Sequence, residues 1–143
     1  MIGWAAAAIE GLERIPYWVL ALPLRAAVAN VFWSSAMVKL DSWQTTLSLF
    51  QDEYKLPVLP PEIAAYIAVS IELTAPVLLM LGLATRASAA LLLGMTTVIE
   101  VFVYPQAWPT HIQWAAMLLV LLARGPGLVS LDAVIRRPVL GRG

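Results

Sequence analysis

The chain has 143 residues, 61% of them hydrophobic and only 13% charged, with a mean hydropathy of +0.81. That is too much apolar material for a water-soluble domain of this length, so the composition points to a single domain embedded in a membrane. Nine basic and nine acidic residues cancel, which argues against nucleic-acid binding, and the chain has no cysteine and one histidine, His111. Disulfides, thiol redox chemistry, iron–sulfur clusters, Cys/His zinc sites and bis-histidine haem ligation by this chain alone are thereby excluded.

In chain order, the first 15 residues set Trp4, Ile9, Leu12 and Ile15 against Glu10, Glu13 and Arg14, the pattern of a short helix lying on a membrane surface with a Glu10–Arg14 pair at i,i+4. A hydrocarbon core about 30 Å thick requires about 20 mostly apolar helical residues. Four runs answer to this, at Tyr17 to Val38, Glu62 to Gly82, Arg86 to Tyr104 and Pro109 to Arg124. Pro57, Pro60 and Pro61 precede the second, Gly82 to Arg86 turns between the second and third, Pro105 and Pro109 bracket the next break, and Gly125-Pro126-Gly127 stops the last. The fourth run covers only roughly 23 Å and relies on snorkelling of Arg124 or local thinning of the bilayer. Ala27-Val28-Ala29 resembles a small-residue cleavage site, but Glu10 and Glu13 ahead of the first run and Arg25 within it argue against a removed signal peptide. The fold class is therefore all-α, an integral membrane four-helix bundle with short interfacial helices.

Between the first two runs, Asp41-Ser42-Trp43-Gln44 is a helix-start pattern, after which Trp43, Leu47, Phe50 and Tyr54 recur at helical spacing. This amphipathic loop, residues 41–55, is expected to anchor at the outer interface rather than to act as a substrate lid. The tail, residues 125–143, carries a similar short element, Leu128, Leu131, Val134 and Ile135 followed by Arg136 and Arg137. Basic residues decide the orientation: Arg14, Arg86, Arg124, Arg136, Arg137 and Arg142 share one side, against Lys39 and Lys55 on the other. Six against two predicts a multi-pass chain with both termini in the cytoplasm and the long first loop outside.

Ionisable groups within spans cost on the order of 2.5 to 3.5 kcal/mol each on insertion scales, so they face protein or a wet cavity. Counting residues from the inner ends of their spans puts Arg25 and Glu72 roughly 12 and 15 Å deep, which predicts a buried ion pair between antiparallel neighbours. The other reading of Glu72 is a proton relay. Glu100 belongs to a polar stripe with Thr96, Thr97 and Tyr104, and Asn30 and Ser34 share one face of the first span. With Lys39, Trp108, Thr110 and His111 these outline an outward-opening ligand site built on Asn30, Ser34, Lys39, Thr97, Glu100, Tyr104, Trp108 and His111, sized for the headgroup of a quinone or lipid. The bland reading is an interfacial aromatic belt of Trp33, Trp43, Tyr104, Trp108 and Trp114. No phosphate-binding glycine loop, hydrolase triad, metal motif or inverted repeat is visible.

Several segments follow one another in a set order: Phe32-Trp33-Ser34-Ser35 with Lys39-Leu40, Leu59-Pro60-Pro61, Glu72 ahead of Leu81-Gly82-Leu83-Ala84-Thr85-Arg86, Tyr104-Pro105, Trp108-Pro109-Thr110-His111, and Arg124-Gly125-Pro126-Gly127 to Ser130-Leu131-Asp132. In this order and spacing they resemble the DoxX family of small bacterial membrane proteins, which implies the bacterial inner membrane. The resemblance covers about Arg25 to Arg137. It implies a four-helix membrane subunit or accessory protein linked to quinone-coupled oxidoreductases, sulfur oxidation or oxidative-stress complexes, and the Trp-Pro-Thr-His branch resembles members encoded beside multinuclear iron enzymes. Cysteines found in some wider relatives are absent, which excludes thiol–quinone exchange by this chain. The expected function is an accessory, quinone- or lipid-binding subunit that is not catalytic alone and has no covalent cofactor or metal. Its expected partners are membrane lipid, a redox subunit or further copies of itself, and the alternatives are a small proton- or solute-path component or a purely structural anchor.

Overall fold

The computed structural model describes residues 2–140, with side chains described for residues 3–136. Arg142 and the side chain of Arg137, both used in the orientation count, lie outside the described residues. The chain is all-α among the described residues: α1 (Ile2–Glu13), α2 (Tyr17–Asp41), α3 (Trp43–Ser48), α4 (Pro61–Leu81), α5 (Thr85–Val98), α6 (Trp108–Arg124) and α7 (Leu131–Leu140). Two helices relax into wider π-helical turns, α3 through Leu49–Tyr54 and α5 through Ile99–Val103. A single 3₁₀ turn, Pro105–Ala107, then starts α6.

Tyr17–Asp41, Pro61–Leu81 and Thr85–Val103 are long and apolar enough to cross a membrane. The fourth bundle helix, α6, has 17 residues, about 25 Å of rise. α2 packs on α4, α4 on α5, α5 on α6 and α6 back on α2, which closes the bundle. Its core is Val28, Phe32, Ala75, Leu79, Ala89, Leu92, Leu118 and Leu121, each almost wholly buried. The outer faces are also apolar, with Val38, Ile63, Phe102 and Leu119 exposed. A protein that is hydrophobic both inside and out has lipid for its solvent.

Arg25 and Glu72 do not form the expected ion pair. Arg25 is 3% exposed and finds carbonyls instead: its Nε donates to Leu79 O (2.7 Å), Nη2 to Met80 O, and Nη1 to Val129 O (2.7 Å) and Pro126 O (3.3 Å). Leu79 and Met80 lie in the last turn of α4, where carbonyls lack the regular i+4 donors, Leu79 O keeping only the capping Gly82 N–H (3.1 Å), and the helix dipole presents its negative end. The expectation failed on register. Arg25 is level with Leu79 and Met80, seven residues or roughly 10 Å along α4 from Glu72.

The same end is closed by the tail. Asp132 accepts hydrogen bonds from Ala84 N (2.8 Å) and Thr85 N (3.0 Å), which caps α5, while its own backbone N donates to Gly82 O (2.9 Å). Gly82 terminates α4 at φ 65°, with Leu83 N donating back to Leu78 O (2.9 Å). It packs so tightly on Ser130 that a Cβ there would sit 2.4 Å from the serine Cβ.

Candidate functional site

At the opposite end of the bundle a cavity of about 320 Å³ lies between α2, α4, α5 and α6. Phe32, Ile71, Met95 and Trp114 form its inner walls, and Phe50, Tyr54, Leu56 and Leu59 lie across it from the segment that joins α2 to α4. That segment was expected to anchor at the interface. Its apolar face instead folds back on Ala64, Ala65 and Ala68 of α4, with Phe50 buried and Trp43, Leu47 and Tyr54 packed around it. The small side chains of α4 let the aromatic groups approach closely, so the stripe is satisfied by protein and covers the cavity. Lys55, in a left-handed conformation at φ 42°, ends the π turn that brings Phe50 and Tyr54 over the opening.

Two polar constellations enter this apolar space. In the first, Glu72 is 1% exposed and pairs with Lys39, whose Nζ donates to Glu72 Oε1 (2.9 Å), Glu72 Oε2 (3.0 Å) and Ser35 Oγ (2.7 Å). Ser35 Oγ in turn donates to Glu72 Oε1 (3.0 Å). Three ammonium hydrogens meet three acceptors, the condition under which a buried charge pair is tolerated. Ser35 and Lys39 are four residues apart on α2, so one helical turn presents both to α4.

In the second, His111 Nδ1 lies 2.6 Å from Glu100 Oε2 and donates to it. His111 is 5% exposed and stacks at a tilt on Trp114, at a centroid distance of 5.0 Å. In the neutral ring with its hydrogen on Nδ1, Nε2 is the acceptor nitrogen. Glu100 sits in the π-helical turn of α5, a local widening found often at functional sites. At the rim, Tyr104 Oη donates to Glu53 Oε1 (2.6 Å) and meets Tyr54 edge to face at 5.6 Å. The carboxylate acceptor, aided by burial, pushes the Tyr104 phenol well above its ordinary value.

Of the residues expected in the ligand site, Lys39, Tyr104 and His111 line this cavity, and Glu100 joins through His111. Asn30, Ser34, Thr97 and Trp108 do not. Asn30 is exposed in an open groove beside Trp33, Ser34 faces outward, the Thr97 hydroxyl donates to Leu93 O (2.8 Å), and Trp108 is exposed as a belt residue would be. Ser35, Glu53, Phe50 and Tyr54 were missed. The i,i+4 match of Ser35 to Lys39 was a usable signal for the first; nothing local marks Glu53. Among the described residues no cluster of three or more His, Cys, Asp or Glu is placed to hold a metal.

The profile of the DoxX family matches residues 20–105 of this chain. A protein of Haemophilus influenzae described as uncharacterized is 30% identical over 139 residues, covering 88% of this chain and 89% of its own. No solved structure matches.

Proposed function

The chain belongs to the DoxX family, and from that premise we propose that it binds a quinone headgroup, or a lipid of similar shape, as an accessory subunit of a membrane redox system. The observation that carries the reading is the covered apolar cavity, of a size suited to a single ring, into which Lys39–Glu72 and His111–Glu100 both project. A quinone is a flat apolar ring with carbonyl oxygens that accept hydrogen bonds, and its reduced form donates them. Lys39 and Ser35 supply donors on one wall. His111, oriented by Glu100, supplies on another an acceptor nitrogen suited to a hydroxyl hydrogen. Electrons would go to or come from a redox partner, since this chain carries no redox-active cysteine.

The same reading places the protein in the bacterial inner membrane as a multi-pass chain with both termini cytoplasmic, which puts the cavity near the outer face. The excess of Arg over the α1, 82–86 and tail segments supports that orientation. A through-path for solutes has less support, because Arg25 and the tail fasten the other end of the bundle shut. The test is purification from native membranes in mild detergent, with mass spectrometry of every retained small molecule. Retention of quinone by the wild type and its loss from H111A is expected. A folded wild-type protein that carries phospholipid but no quinone under any gentle extraction overturns the proposal.

A further inference from the structure

A second and larger cavity, about 820 Å³, lies at the end of the bundle remote from the covered one. It is bounded by the start of α2, the start of α5, the end of α6 and the body of α7. Three of these are ends of bundle helices, so the cavity sits at the depth where a bilayer places its phosphates. Arg86, Arg124 and Arg136 all line it. None of the three is ion-paired with a carboxylate among the described residues.

Two of these cations are held in place by the fold. Arg86 Nη2 donates to Ala123 O (3.2 Å), and the Arg124 guanidinium lies 4.8 Å from the centre of the Tyr17 ring, whose hydroxyl donates to Gly125 O (2.7 Å). The one acid on the wall among the described residues, Asp132, has both oxygens engaged by the backbone N–H groups that open α5. Thr85, on the same wall, has a buried hydroxyl with no hydrogen-bond partner among the described residues. Three like charges gathered around one space repel one another unless an anion joins them. Guanidinium forks match phosphate oxygens two at a time. The rest of the wall, with Trp18, Leu128 and Ile135, is apolar.

We infer that this cavity is a binding site for the phosphodiester headgroup of an anionic phospholipid, with the arginines on the phosphate and the apolar wall against the glycerol and upper acyl chain. The inference rests on the membrane reading of the chain and is independent of what occupies the covered cavity. Basic pockets between membrane helices on the cytoplasmic side are suited to such headgroups, and each Lys or Arg near the surface is worth about fivefold in affinity.

The experiment uses the full chain in bilayer discs of phosphatidylcholine doped with phosphatidylglycerol, read by native mass spectrometry for the lipid that stays bound. Wild-type protein is expected to retain phosphatidylglycerol in preference to phosphatidylcholine, R124Q/R136Q to weaken that preference roughly thirtyfold, and R14Q, exposed in the turn just after α1 and away from the cavity wall, to leave it unchanged. Equal retention of the two lipids by the wild type, or an unchanged preference in R124Q/R136Q, overturns the proposal. Displacement of the bound lipid by inorganic phosphate also overturns it, in favour of a soluble phosphorylated ligand. If R124Q/R136Q does not fold, R136Q alone, on the exposed side of α7, reads the same effect at about fivefold. Quinone retention is scored in the same spectra, so failure of this site and failure of the covered one are told apart.

Discussion

Replacing Glu72 by Gln keeps the shape of the side chain and removes its charge, leaving the Lys39 ammonium in the cavity wall without its counterion. Stranding one member of a buried pair costs about 3–5 kcal/mol. Here the lower end applies, because the Lys39 side chain keeps 16% exposure and Ser35 Oγ remains as an acceptor. About 3 kcal/mol is a factor of roughly 150 in the folding equilibrium. Removing both charges together, in K39M/E72M, fills the same space with apolar atoms and is expected to fall within about 1 kcal/mol of the wild type. The assay is reversible unfolding of the purified protein in mixed detergent micelles, run as a double-mutant cycle of K39M, E72M and K39M/E72M beside E72Q, with a coupling of at least 2 kcal/mol expected. The reasoning fails if the double variant is as unstable as the sum of the singles. It fails equally if R25M, rather than K39M, rescues E72Q, since that would restore the pairing the carbonyl contacts of Arg25 preclude.

R25M removes a donor group shared by four carbonyls and is expected to cost about 3–5 kcal/mol in the same unfolding assay, with faster amide hydrogen exchange over residues 126–132 as its local signature. G82A combines a left-handed backbone with a collision against Ser130 and should destabilise by about 2–4 kcal/mol, whereas G94A, where a Cβ meets nothing within 4 Å, should not. The raised pKa of Tyr104 means that folding favours its protonated form: this stabilisation is whole below the ordinary value of 10.0 and is lost as pH climbs from there through the folded value. Tyrosinate absorbance should therefore lose one late-titrating phenol in Y104F relative to the wild type, and E53Q should bring that phenol back towards the ordinary range.

The bundle was legible because its signals are local: apolar runs of span length, prolines ahead of helices and glycines behind them each declare themselves within a few residues. What was not legible depends on how helices sit against each other. Two polar pairs at i,i+4 stand on α2, Asn30 with Ser34 and Ser35 with Lys39, and five residues of offset turns the second roughly 140° from the first. The spacing says that each pair shares a face; only the rotation set by Val28 and Phe32 in the core says that the second faces inward. Arg25 and Glu72 were mismatched for a related reason. Depth counted from the visible end of a span assumes that all spans end level, yet α2 begins nearly two turns below the end of α4. The π-helical turns at Leu49–Tyr54 and Ile99–Val103 carry no sequence mark, and they help set Tyr54, Glu100 and Tyr104 around one space.

The grip of Arg25 on the tail also has a meaning in time. Two of its four acceptors, the carbonyls of Pro126 and Val129, are translated 101 and 104 residues after it. During synthesis Arg25 enters the bilayer on the first bundle helix with only the later α4 and tail to receive it, and until they arrive it must stay near headgroups or water. A segment made after all the bundle helices therefore completes the seating of the first of them, and a chain cut short before Pro126 would leave an arginine half seated in the membrane.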